Sequence, residues 1–172
     1  ISVAVATLAL VSCAKKPGEV TKITGELNDT TVTAVQVALG AQQIDTVLNL
    51  VDGKFQVEIP ADVQNYATIR LLAGEKRMGG SYFISDGTEL TVSLTDEKLK
   101  VSSSMDYVQG KYAAYSEKAE ALYAAEGENM MAELEALWME TVKANPNNAV
   151  AVLVVAVRVG LVVLVLHLWF TS

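Results

Sequence analysis

A chain of 172 residues can bury one self-sufficient core, and its single cysteine excludes an internal disulfide, a CxxC redox pair and a cysteine-rich zinc site. The net charge of −7 is unevenly placed: all 20 acidic residues but only 10 of the 13 basic ones lie between Glu19 and Asn147, which leaves that stretch near −10. No basic patch with interleaved aromatics offsets it, so nucleic acid is excluded as a partner.

The first element is apolar. Ile1 to Val11 carries no charge and falls short of the roughly 20 residues a membrane helix needs. It fits the h-region of a partial signal peptide, with no basic n-region before it. Leu10-Val11-Ser12-Cys13 then resembles a bacterial lipobox. In that motif the cysteine thiol receives a diacylglyceryl group and the peptide bond before it is cut. Cys13 is therefore the expected lipidation site, and residues 1–12 the expected signal peptide. Residues 13–18, with Lys15, Lys16, Pro17 and Gly18, read as a tether. The absence of Asp after Cys13 favours the periplasmic face of the outer membrane.

From 19 to 102 the composition predicts strands. They are expected at Val20–Leu27, Thr31–Leu39, Ile44–Leu50, Lys54–Ile59, Tyr66–Leu72, Tyr82–Ser85, Glu89–Leu94 and Lys98–Ser102. Asp52-Gly53 predicts a two-residue hairpin turn, because Gly tolerates the positive φ of type I′. Phe55, Val57 and Ile59 alternate with Lys54, Gln56 and Glu58, and Leu90, Val92 and Leu94 repeat the pattern. Half-buried strands at this spacing predict an antiparallel β-sandwich, mainly β, followed by a short helical segment and an apolar C-terminal tail.

Between 105 and 147 the period becomes helical. Val108, Tyr112, Tyr115, Ala119 and Leu122 mark one buried face, and Met131, Leu134, Trp138 and Val142 another, with Gly127 between them. The tail at 149–172 is valine-dense, with Arg158 near the middle of its apolar run. Three readings stand for it: an aberrant terminus, a membrane span, or a buried strand or helix. In a span, Arg158 costs about 2.5–3.5 kcal/mol.

Together these residues resemble a family. The lipobox precedes a strand carrying Gly25, then Asp45-Thr46-Val47, the hairpin Asp52-Gly53-Lys54-Phe55, and Asp86-Gly87-Thr88-x-Leu90-x-Val92. A tyrosine-rich helical segment and an Asn-Pro-x-Asn turn at Asn145 follow. The pattern is similar to the N-terminal module of Bacteroidetes lipoproteins that bear the domain of unknown function DUF4369. The resemblance covers Cys13 to about Val155. It implies a sandwich with helices that commonly precedes a thioredoxin-like domain of the thiol–disulfide interchange type. That domain's CxxC has no match here, so no catalytic residue is carried over.

No other chemistry stands out. His167, the one histidine, lies between leucines, and a lone His makes a poor metal site. Gly74 to Gly80 is read as a mobile hairpin loop rather than an anion cradle, because it lacks phosphate-loop spacing. Glu117/Glu120 and Glu133/Glu135/Glu140 read as solvated helix faces. Asp29-Thr30-Thr31 and Asp45-Thr46-Val47 resemble a Bacteroidetes O-glycosylation signal, which makes Thr30 and Thr46 candidate acceptors. No catalytic residue, cofactor or metal is expected. The expected function is a lipid-anchored accessory module of a thiol–disulfide interchange protein, with the membrane and periplasmic proteins as partners. A stand-alone lipoprotein whose sandwich binds a ligand or peptide is the alternative, and an enzyme of unrecognised type is a third reading.

Overall fold

The computed structural model describes residues 17–95, 98–156 and 158. Eight strands come first: β1 (Val20–Glu26), β2 (Ala34–Leu39), β3 (Ile44–Asn49), β4 (Lys54–Pro60), β5 (Asp62–Ala73), β6 (Lys76–Ser85), β7 (Glu89–Thr95) and β8 (Lys98–Ser103). Two helices follow, α1 (Val108–Ala125) and α2 (Met130–Ala144), and residues 149–156 form a further helical segment. The strands make two four-stranded sheets, ordered β4-β1-β7-β8 and β3-β2-β5-β6. The pairings are antiparallel except β1 with β7, which run parallel. The fold is a β-sandwich with a helical layer.

Alternation builds the sandwich core. Phe55 and Ile59 turn inward on β4, Leu90 and Val92 on β7, and Ile69 and Leu71 on β5, meeting Ile23, Val35, Val37, Leu39 and Phe83. Their intervening neighbours Lys54, Gln56, Glu58, Glu89 and Thr91 face water. The period of two places each set on one side of the pleat. Asp52 and Gly53 both have positive φ, 51° and 74°, and Val51 and Lys54 exchange backbone hydrogen bonds of 3.0 and 2.9 Å around them. The two-residue turn that Asp-Gly predicts is there, but the hairpin is not: β3 and β4 part into different sheets, and only the isolated Val51–Lys54 bridge closes the turn.

A second core joins the helices to the outside of the sandwich. Tyr112, Tyr115 and Ala119 of α1 meet Leu134 and Trp138 of α2 and Ile84 of β6. Ala149, Val150, Leu153 and Val154 are all fully or almost fully buried in the same cluster. Arg158 reaches back over the Trp138 ring at 5.0 Å and pairs with Glu135 at 3.1 Å. Residues 149–156 are thus part of the helical layer. Among the described residues no helix is long and apolar enough to cross a membrane.

Two expectations are corrected. Residues 76–80 are not a loop: Gly79 and Gly80 pair with Leu71 and Arg70, and only Gly74 and Glu75 turn. A shift of register between Leu71 and Leu72 absorbs the irregular stretch, so their backbone is engaged with β5 rather than free to cradle an anion. Met131 is 55% exposed, and Met130 packs against the helical core in its place. The buried stripe of α2 runs 130–134–138–142 at a spacing of four.

Candidate functional site

The junction of sandwich and helices is built on two buried polar side chains. Asp86, in the turn after β6, accepts the Gln109 backbone N–H at 2.7 Å through Oδ2. Its Oδ1 accepts the Thr88 hydroxyl at 2.6 Å and the Thr88 N–H at 3.2 Å. A carboxylate from the sandwich therefore serves an orphan N–H in the first turn of α1, where the helix dipole favours negative charge. Gln109 in turn spans the two sheets. Its Oε1 accepts the Ile84 N–H of β6 at 2.7 Å, and its Nε2 donates to the Val101 carbonyl of β8 at 2.8 Å. β6 and β8 are each the edge of their own sheet. One side chain thus satisfies edge groups that would otherwise be buried without partners.

Beside this clamp lies a cleft of about 350 Å³ between β6, β8 and α1. Tyr82 and Ser81 line it from β6, Lys100 and Ser102 from β8, and Tyr112, Ser116, Glu117 and Glu120 from α1. The period of α1 places Tyr112 and Ser116 one turn apart on the side facing the seam. Burial pushes the Tyr112 hydroxyl above its ordinary range, against a hydrogen bond from Ser116. Tyr115, on the same helix, is pushed up to about 12 by burial, against a hydrogen bond from Trp138. Both phenols stay neutral hydrogen-bonding groups through the physiological range. A second hollow of about 650 Å³ continues the seam and shares Gly80, Ser81, Leu99 and Glu120 with the first. The exposed pair Lys98–Glu120, at 4.0 Å, spans the boundary and contributes little stability. The seam can hold a small molecule with an apolar body between Tyr82 and Tyr112, its polar groups meeting hydroxyls and carboxylates.

A larger notch of about 880 Å³ lies at the opposite side of the sandwich, around Gly25, Leu48, Val51 and Phe55, and is more open to solvent. Among the described residues, no group of three or more His, Cys, Asp or Glu converges as a metal site.

The sequence candidates scatter. Cys13 and His167 lie outside the described residues. Thr30 is exposed in the turn where the Asp29 carboxylate accepts the Thr31 N–H at 2.8 Å and its hydroxyl at 2.6 Å. Thr46 is half-buried on β3, on the side of Ile44 and Leu48. Its neighbour Asp45 accepts from Gln36 at 2.7 Å. The structure brings Glu117 and Glu120 to the cleft, while Glu135 pairs with Arg158 elsewhere. Gln109 and Asp86 were not foreseen as a junction. The available signal was a glutamine three residues before Tyr112, on the buried side of an otherwise apolar stripe. No protein-family model and no curated protein matches the chain.

Proposed function

We propose that this chain is a non-catalytic envelope module, held at the periplasmic face of the outer membrane by a diacylglyceryl group on Cys13. In this reading it is the accessory part of a thiol–disulfide interchange lipoprotein of the DUF4369 type. It carries no dithiol of its own, having one cysteine. The observation that carries the reading is where the folded body begins. The Gly18 N–H donates to the Gly87 carbonyl at 2.8 Å, so the body is tied down five residues after Cys13. Five residues reach at most about 18 Å, which keeps the body against the bilayer surface. The acyl chains add about 0.8 kcal/mol per buried methylene, enough for a lasting anchor. The mechanism is presentation: the anchor sets the height of the sandwich, and the sandwich holds a partner redox domain near its clients. Metabolic labelling with a palmitate analogue, followed by membrane fractionation, tests it. The wild-type chain takes up label and stays with the membrane, whereas Cys13→Ala does neither. Label on the Ala variant would overturn the anchor.

The cleft beside Gln109 favours a second reading, a stand-alone ligand-binding lipoprotein. Ser116→Leu pushes an apolar side chain into that cleft. Under this reading a small molecule that raises the melting temperature of the wild-type chain fails to raise that of Ser116→Leu.

A further inference from the structure

We propose that β3 is a homodimer edge, at which two copies join their sheets through antiparallel β3–β3 pairing about a two-fold axis at Val47. This rests on the sandwich alone and not on the membrane anchor.

The sandwich has four edge strands, and three are guarded. β6 and β8 lie under α1 and are clamped by Gln109. β4 carries Lys54 and Glu58 on its outer face and ends in Pro60. Charge, proline and cover are the usual devices that prevent edge-to-edge association. Among the described residues β3 has no cover and no proline, and its one charge is Asp45. Its sequence is Ile44-Asp45-Thr46-Val47-Leu48-Asn49, with one charge and no Lys or Pro. Its pairing with β2 runs through all six positions without a bulge. Val47 is 57% exposed.

The hydrogen-bond phase says which groups β3 offers. The Leu50 N–H donates to the Thr33 carbonyl of the neighbouring segment at 3.0 Å. Alternation then turns Leu48, Thr46 and Ile44 toward β2, and the backbone groups of Asp45, Val47 and Asn49 away from it. An antiparallel copy centred on Val47 sets Val47 against Val47 and Asp45 against Asn49, each pair exchanging backbone hydrogen bonds. The side chains agree with that register. Two valines meet at the axis, and each Asp45 carboxylate faces an amide rather than a like charge. The surface is self-complementary, as a two-fold interface requires. The helical layer sits at the far end of the sheet, against β6, and does not obstruct the second copy. A single strand pair buries less than the roughly 800 Å² per partner of a standard interface, so the dimer forms with rising concentration.

The test uses the full chain, in whichever cell fraction holds it. Val47→Cys is oxidised under mild conditions and run on a non-reducing gel, beside Gln56→Cys on the β4 edge. The proposal expects a disulfide-linked homodimer for Val47→Cys and monomer for Gln56→Cys, since Cα atoms in such a strand pair lie about 5.5 Å apart, within disulfide reach. Sedimentation in detergent at about 0.1 mM, a concentration that reveals weak association, expects a dimer for wild type. Val47→Lys is expected to be monomeric with an unchanged melting temperature. A monomeric wild type, equal cross-linking of the two cysteine variants, or a cross-link to a different protein overturns the proposal.

Discussion

Gly25 of β1 stands directly opposite Phe55 of β4, and the phenyl ring lies over the glycine. A Cβ at Gly25 would overlap the Phe55 ring, and Phe55 is itself buried in the core. Gly25→Ala must displace that ring, and a loss of about 1–3 kcal/mol is expected from urea denaturation. Titration supplies a second prediction. Tyr112 and Tyr115 are both raised above 10.0 by burial, Tyr115 to about 12. A raised folded value means their contribution is complete below pH 10, where the unfolded chain's phenols begin to ionise, and is lost as pH rises through the folded value. Melting temperatures should fall between about pH 10 and 12, and Tyr115→Phe should flatten that fall. At the acid end Asp62 behaves oppositely. Burial pushes its carboxyl up, but hydrogen bonds from Asn65 and Gln64 outweigh this and leave it below 3.8. Its contribution is present above that value and lost as pH drops through the lower folded one.

Among the elements, α2 shows most plainly how one residue of phase changes a prediction. Leu134 and Trp138 are buried, and a spacing of four leads back to Met130, whereas three leads to Met131. Met131→Lys should change stability by less than about 0.5 kcal/mol, as for other surface substitutions. Leu134→Ala should cost about 2–5 kcal/mol, because its side chain is fully buried between α1 and α2. Equal effects in chemical denaturation would mean the stripe is wrongly phased. Likewise, β6 shows why a run of glycines misleads. Gly79-Gly80 has low strand propensity, yet β5 offers an edge that pairs it. The tertiary partner overrides the local preference there.

For the molecule as a whole, the question is whether sandwich and helices melt together. Asp86 and Gln109 couple them, with Gln109 touching both sheets and the first turn of α1. Gln109→Leu leaves the Ile84 N–H and the Val101 carbonyl buried without partners, at a cost of about 2–4 kcal/mol. Calorimetry should show one transition for wild type and a broadened or split one for the variant. Leu153→Ala should also cost about 2–5 kcal/mol if residues 149–156 complete the helical core as the burial indicates. No loss in the melting temperature would remove that segment from the fold.

Most of the sandwich was legible because its signals are local. Alternation in Lys54–Ile59 and Glu89–Leu94, the Asp52-Gly53 turn and the tyrosine stripe of α1 each follow from neighbours a few residues apart. Steric and solvation preferences act at that range whatever the rest of the chain does. The pairing was not legible. Which strands become edges, that β1 runs parallel to β7, and that Gln109 meets Ile84 and Val101 all depend on contacts across long stretches of chain. The cleft was equally hidden, because its walls come from β6, β8 and α1, and none of them announces a site alone. Composition also decided one point by itself: these 172 residues hold one cysteine, which makes no dithiol however they fold. Which polar side chains are buried, and which strands end each sheet, only the assembled layers decided, because burial and backbone pairing belong to partners that sequence distance does not reveal.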